Sequence, residues 1–171
     1  MKRPQLQTVP PFYKGYVGLV KDYDLMEALH AAAKRLQEIL TSIPEEKGEC
    51  RYQPEKWSIK ELLCHMMDAE RIFAYRALRI ARNDKTPLAG FDEQLYAPEA
   101  NAHQRSINQI AAEMKTLRQT TVDLYASFSE EMFERTGSAN GTEISVLNLG
   151  YIIAGHESHH CNILLNRYLQ K

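Results

Sequence analysis

The sequence predicts an all-α protein, a four-helix bundle in up-down-down-up order. Three observations carry that expectation. Four segments of about 20 to 26 residues repeat apolar side chains at helical spacing. No segment alternates with period two for long enough to compete as a strand. The connection between the second and third helices, residues 84–105, is too long for a hairpin and long enough to return the length of a bundle.

After an irregular start, Leu25, Leu29, Leu36, Ile39, Leu40 and Ile43 define the first helix, which Pro44 and Gly48 close. The second begins at Ser58-Ile59-Lys60-Glu61, a capping box with Ser58 as N-cap and Glu61 at N3. Trp57 and Leu62 flank it as a hydrophobic staple, so the only tryptophan is expected to serve packing. This helix continues through Leu63, Met66, Phe73, Ala77 and Ile80 to about Asn83. Ser106 caps the third, whose stripe is Ile107, Ile110, Met114, Leu117, Leu124 and Phe128. The fourth starts near Ser145 and is expected to run almost to Lys171. The long second connection, with Pro87, Gly90 and Pro98, is a crossover or a lid; residues 44–57 and 129–144 are moderate connections.

A chain of 171 residues suits one domain over residues 1–171. Its 44% hydrophobic and 25% charged content is that of an ordinary soluble protein. A net charge of −1 gives no field that would draw it to nucleic acid or to an anionic membrane. The polar, proline-rich opening does not resemble a secretory leader, and no apolar run suggests a membrane span. Cys50, Cys64 and Cys161 are odd in number and form no CxxC pair, which points to a reducing cytoplasm rather than a disulfide framework.

The chemistry concentrates in the last helix. At 100° per residue, Leu149, Ile152, Ile153, His156, His160, Ile163 and Leu164 share one stripe, with the two imidazoles near its centre. Polar rings in a core need partners, and a shared metal ion supplies one. Their i, i+4 spacing lets both reach an ion at about 2.0–2.1 Å, the zinc–nitrogen distance. His65 is the best third ligand. It lies about 10 Å from the start of its helix and His160 about 14 Å from the end of its own. Those levels nearly coincide if the two helices run antiparallel, the arrangement that the long crossover permits.

Three neutral histidines leave positions for water or substrate, as catalytic sites do. Asp68 and Glu157 are candidates to orient the rings, and His159, about 60° off the stripe centre, is a rim residue or a further ligand. Asp92, Tyr96 and Arg105 are substrate-contact candidates from the expected mouth, formed by loop 44–57 and the later part of loop 84–105. His30 and His103 read as surface residues. Cys64 and Cys161 read as buried, inert thiols. Formally, His156-Glu157-Ser158-His159-His160 is also H-E-x-x-H, with Glu157 as base. No downstream ligand or substrate-aligning strand supports a protease. Glu157 remains the catalytic candidate for other metal-assisted chemistry.

These residues together resemble the DinB/YfiT-like family of small bacterial metal-binding four-helix bundles. The likeness spans Arg3-Pro4, Tyr13 and Tyr16-Val17, Lys56-Trp57-Ser58-Ile59 with His65, and Asp68-Ala69-Glu70-Arg71. It continues through Gly90-Phe91-Asp92-Glu93, Gly155-His156-Glu157-Ser158-His159-His160 and Arg167-Tyr168-Leu169. It implies a metal triad of His65, His156 and His160, zinc or nickel in the site, and a homodimer. It further implies a thiol S-transferase in which the divalent metal activates a small bacillithiol-like thiol against an electrophilic substrate. Two alternatives stand beside it: a hydrolase using metal-bound hydroxide, and a non-catalytic, stress-associated metal-binding bundle.

Overall fold

The computed structural model describes residues 2–170. Its helices are α1 (Lys14–Leu19), α2 (Leu25–Leu40), α3 (Ile59–Ala81), α4 (Glu93–Glu99), α5 (Ile107–Ala126), α6 (Glu130–Glu134) and α7 (Val146–Ile163). Two short strands, β1 (Thr136–Ala139) and β2 (Thr142–Ser145), precede α7. The long helices α2, α3, α5 and α7 are the four expected from the apolar periodicity.

Helix starts are set locally. Reciprocal capping boxes join Asp24 to Glu27, Ser58 to Glu61 and Ser106 to Gln109, and Ser145 Oγ accepts the Asn148 amide of α7. Each satisfies amides that the first helical turn leaves unpaired. The last helix does not stay α-helical to the end: beyond Ile163 the chain widens into a π-helical turn over Leu164–Tyr168.

Two buried apolar clusters reveal the order of the bundle. One unites Leu25 and Leu29 of α2, Ala77 and Ile80 of α3, Val122 and Tyr125 of α5, and Leu149 and Ile152 of α7. The other unites Leu36 and Leu40, Leu63 and Met67, Ile107 and Ile110, and Cys161 with Leu164. The first cluster therefore takes the start of α2 and α7 but the end of α3 and α5. That is possible only if α2 and α7 run one way and α3 and α5 the other, an up-down-down-up bundle. The crossover returns the chain between the two parallel middle helices, as its length requires.

Three of the four smaller pieces that periodicity does not foresee (the hairpin, α4 and α1, beside α6) build the surroundings of the site. The hairpin pairs Thr136 with Ser145 and Ala139 with Thr142 around Asn140-Gly141, both at positive φ (51° and 71°). Asn-Gly is the pair that a tight two-residue hairpin favours, so a signal was present in a segment too short for alternation to register. Leu88 of the crossover bonds to Ser138 O and Asn140 N, both at 2.9 Å, and so docks the loop on the hairpin. Helix α4 then interrupts the crossover.

The third piece, α1, lies across α7. Gly155 makes this approach possible, because a β-carbon there would collide with the Tyr16 carbonyl. No helix among the described residues is long and apolar enough to cross a membrane.

Gly155→Ala should therefore push α1 off α7 and lower stability by about 1–3 kcal/mol, the usual cost of overpacking. Urea unfolding measures it. An unchanged midpoint would show that α1 yields without cost.

Candidate metal centre

His65 enters from α3, and His156 and His160 from α7; all three are buried. Their ring nitrogens converge in the seam between the two apolar clusters. His156 Nε2 stands 3.2 Å from His65 Nε2 and 3.1 Å from His160 Nε2. These contacts do not work as a hydrogen-bond network. A neutral His156 Nε2 offers one proton or one lone pair, so it can serve only one neighbour. His160 Nδ1 is buried without a hydrogen-bond partner, so that ring depends on what its Nε2 meets.

A divalent cation gives all three Nε2 lone pairs one shared partner and leaves the proton of each neutral ring on Nδ1. Nitrogens held about 2.0–2.1 Å from one ion at near-tetrahedral angles stand about 3.3 Å apart. The observed spacing of 3.1–3.2 Å fits. Electrostatics favour the same state. Burial pushes the His65 pKa down to about 4 against the opposing charge of Glu93. Burial and the neighbouring His65 and His159 push His156 down to about 3. His160 is lowered for the same reasons, burial first. All three are neutral near pH 7, the form that binds metal.

The donors open on one side into a cavity of about 200 Å³. Its walls come mainly from outside the long helices: Tyr13 and Tyr16 at the N-terminus, Trp57, Phe91 and Glu93 of the crossover, and Asn140 of the hairpin. Tyr16 packs edge-on against His156 and His159, with centroids 5.4 and 5.2 Å away. Trp57 lies over His65 at 4.6 Å while also packing on the apolar cluster beneath, so it serves site and core together. A second space of about 180 Å³, lined by Tyr52, Lys56, Trp57, Gln94 and Tyr168, also reaches His160.

The remaining expected residues fall elsewhere. Asp92 caps α4 by accepting the Gln94 amide at 2.9 Å. Tyr96 is exposed and packs on Phe91 at 5.3 Å. Arg105 pairs with Glu113, which also receives Arg71. None of the three lines the cavity over the histidines. Asp68 pairs with Arg71 at 3.4 Å, and among the described residues no hydrogen bond joins it to His65. His159 stays outside the converging nitrogens. Burial raises the thiol pKa of Cys64, and that of Cys161 to about 12. Glu93, adjacent to the chosen Asp92, is the carboxylate that does line the cavity. In sequence it was one acid among several in a loop.

Glu157 points into a different buried cluster. Arg118 of α5 binds Glu70 of α3 through two bonds of 2.9 Å, Glu157 of α7 at 2.7 Å, and Leu29 O of α2 at 2.8 Å. One guanidinium thus ties the four long helices together. Burial works against its charge, but Glu157 and Glu70 more than offset this and hold its pKa above the ordinary value. Burial raises the Glu157 carboxyl, and Arg118 opposes that rise.

The DinB superfamily model matches residues 28–164. The chain belongs to the DinB superfamily. One relative is described as a provisional metal-dependent hydrolase of Oceanobacillus iheyensis. It is 25% identical over 143 residues, which cover 81% of this chain and 80% of that protein. Among solved structures, YfiT from Bacillus subtilis is described as a probable metal-dependent hydrolase with an unusual four-helix bundle topology. It superposes with a TM-score of 0.74 at 14% identity, over 83% of this chain and 82% of that one. At that identity the match speaks for the fold alone, and it agrees with the helix order found here.

Two outcomes follow from the buried charges. In metal-free protein, imidazoles that stay neutral in the fold take up protons only on unfolding, across the interval from about pH 6.5 down to about 4. Acid therefore favours unfolding there: Tm should fall as pH drops through that window, and a flat profile would contradict the neutral assignment. Arg118→Ala leaves two buried carboxylates uncompensated and should cost about 3–5 kcal/mol in urea unfolding. Exposed Lys115→Ala should change stability by less than about 0.5 kcal/mol.

Proposed function

We propose that the protein is a metal-dependent hydrolase of small molecules, with His65, His156 and His160 holding the ion. The observation that carries this reading is the convergence of three buried, neutral Nε2 atoms at the floor of an aromatic cavity open on one side. The descriptions of the Oceanobacillus relative and of YfiT agree with it. Zinc suits three imidazoles best, and nickel is accepted by the same donors. A divalent metal bound there supplies Lewis acidity and lowers the pKa of water toward about 7.

The chain's own residues do the rest. Tyr13, Tyr16, Trp57 and Phe91 limit water and hold an apolar substrate. Glu93 is the proton acceptor we assign, since it faces the cavity and its charge acts on His65 and Tyr16. Glu157, held by Arg118, acts in this reading as a positioning residue for α7 rather than as the base.

A second reading, transfer of a small thiol to an electrophile, is favoured by one observation. A space along Tyr52, Lys56 and Gln94 also reaches His160, sharing Trp57 with the main cavity, and gives room for a co-substrate.

The test is a panel of small aromatic esters, lactones and amides with metal-loaded protein, run with and without low-molecular-weight thiols. Turnover without thiol, lost on chelation and in His65→Ala, is expected. Glu93→Gln should lower kcat by about 100-fold with metal content unchanged. Glu157→Gln should lower Tm more than kcat. Turnover that requires thiol would establish the transferase reading, and metal-independent rates would reject both.

A further inference from the structure

Two arginines are buried to the same degree, and only one has a counter-charge. Arg118, 4% exposed, is held by two carboxylates. Arg76 of α3 is 3% exposed. Its only hydrogen bond among the described residues runs from Nη2 to the Ala89 carbonyl, at 2.8 Å. Its guanidinium also lies over the Phe73 ring, 5.9 Å from the centroid. No carboxylate among the described residues pairs with it. A buried guanidinium left with one carbonyl and one ring face has donors to spare, and a buried charge is costly until it is paired.

Arg76 lines the cavity over the histidines. His65, Ala69, Phe73 and Arg76 follow one another along a single face of α3 and form the cavity's long side. Arg76 sits about 16 Å of axial rise beyond His65 at about 1.5 Å per residue. Helical side chains lean toward the N-terminus, so the guanidinium reaches back and the gap narrows to about 10 Å. The cavity is polarised along this line. Glu93 acts at the histidine end, on His65 and Tyr16, while Arg76 supplies positive charge beside Phe73 and Ala89. Between the two ends the surface is aromatic.

We propose that Arg76 is an anion-binding specificity residue, and that the substrates are small organic carboxylates. Their carboxylate docks on Arg76, an apolar segment spans Phe73, and the reacting bond lies at the histidines about 10 Å away. Arginine suits this role because its planar fork binds a carboxylate through two parallel hydrogen bonds. The inference rests on the proposal that this cavity is the substrate site.

The experiment compares 4-phenylbutyrate with the neutral 4-phenylbutyramide as ligands of the full-length protein, by NMR titration with and without metal. Wild-type protein should bind the carboxylate about tenfold or more tightly, with metal present or removed. Arg76→Gln should abolish the preference, and Arg76→Lys, which keeps the charge without the fork, should retain part of it. Equal binding of the two compounds by wild-type protein overturns the proposal, whatever the variants do. A preference that disappears when metal is removed overturns it as well, because the ion would then be the anion site. Failure of the hydrolase reading shows instead as absent metal-dependent turnover, which this binding comparison does not use.

Discussion

The structure depends on bringing three uncharged imidazoles to one level inside an apolar bundle. Each ring is polar, and each sits where leucine or isoleucine would pack without penalty. His156 and His160 share a face of α7 by their spacing, so they could meet a third ring only from a neighbouring helix at matching depth. His65 lies near the start of α3 and His160 near the end of α7. Only antiparallel α3 and α7 put them side by side. With α3 and α5 parallel, the chain between them must travel the length of the bundle. The crossover and the helix order are thus consequences of where three nitrogens have to meet.

A polar centre in a seam between two apolar clusters also needs something to stop the helices sliding. The buried Arg118 cluster supplies that beside the histidines. Glu70 lies five residues after His65, and Glu157 follows His156 directly. Each carboxylate therefore fixes a ligand-bearing helix against α5, and the Leu29 carbonyl brings in α2. Charge-assisted bonds in a dry interior are directional, which apolar contacts are not. Buried ion pairs add little net stability over an apolar replacement but are costly to break from one side, so what this cluster adds is directional contact between the helices. Here those contacts join α3 and α7, the helices that carry His65 and His156 with His160, through α5.

The parts legible in the sequence are those governed by short-range rules. Apolar stripes mark the four long helices, and the Ser58 capping box and the Ser106 cap mark two of their starts. The central placement of His156 and His160 in a stripe singled them out, and depth along a helix selected His65 as their neighbour. The cavity walls were harder to read, because they obey no period. α1 spans six residues, the strands four each, and α4 seven. Elements of that length are stabilised by what they dock on, which single-sequence patterns do not carry. Asp92 and Glu93 illustrate the limit. Both are loop acids one residue apart, and the helix that Asp92 caps turns only Glu93 toward the histidines. Glu157 shows the same in the core: adjacency to a ligand residue on a helix means rotation by about 100°, away from the ligand's own face.

This division also bears on what the site can be selective for. The three donors stand on the two long helices whose packing makes the core, where substitutions are costly. Many of the surfaces a substrate would meet belong to the N-terminal segment, the crossover and the hairpin turn, short elements docked onto the bundle. Gly155 admits α1, and Leu88 bonds to the hairpin, so these walls are held by local contacts of their own. Relatives can therefore share a metal centre while differing in substrate. Arg76, like Ala69 and Phe73, is a wall residue carried by α3 itself. Its position relative to His65 is fixed by the rise of one helix, so it measures distance from the centre as no loop residue can.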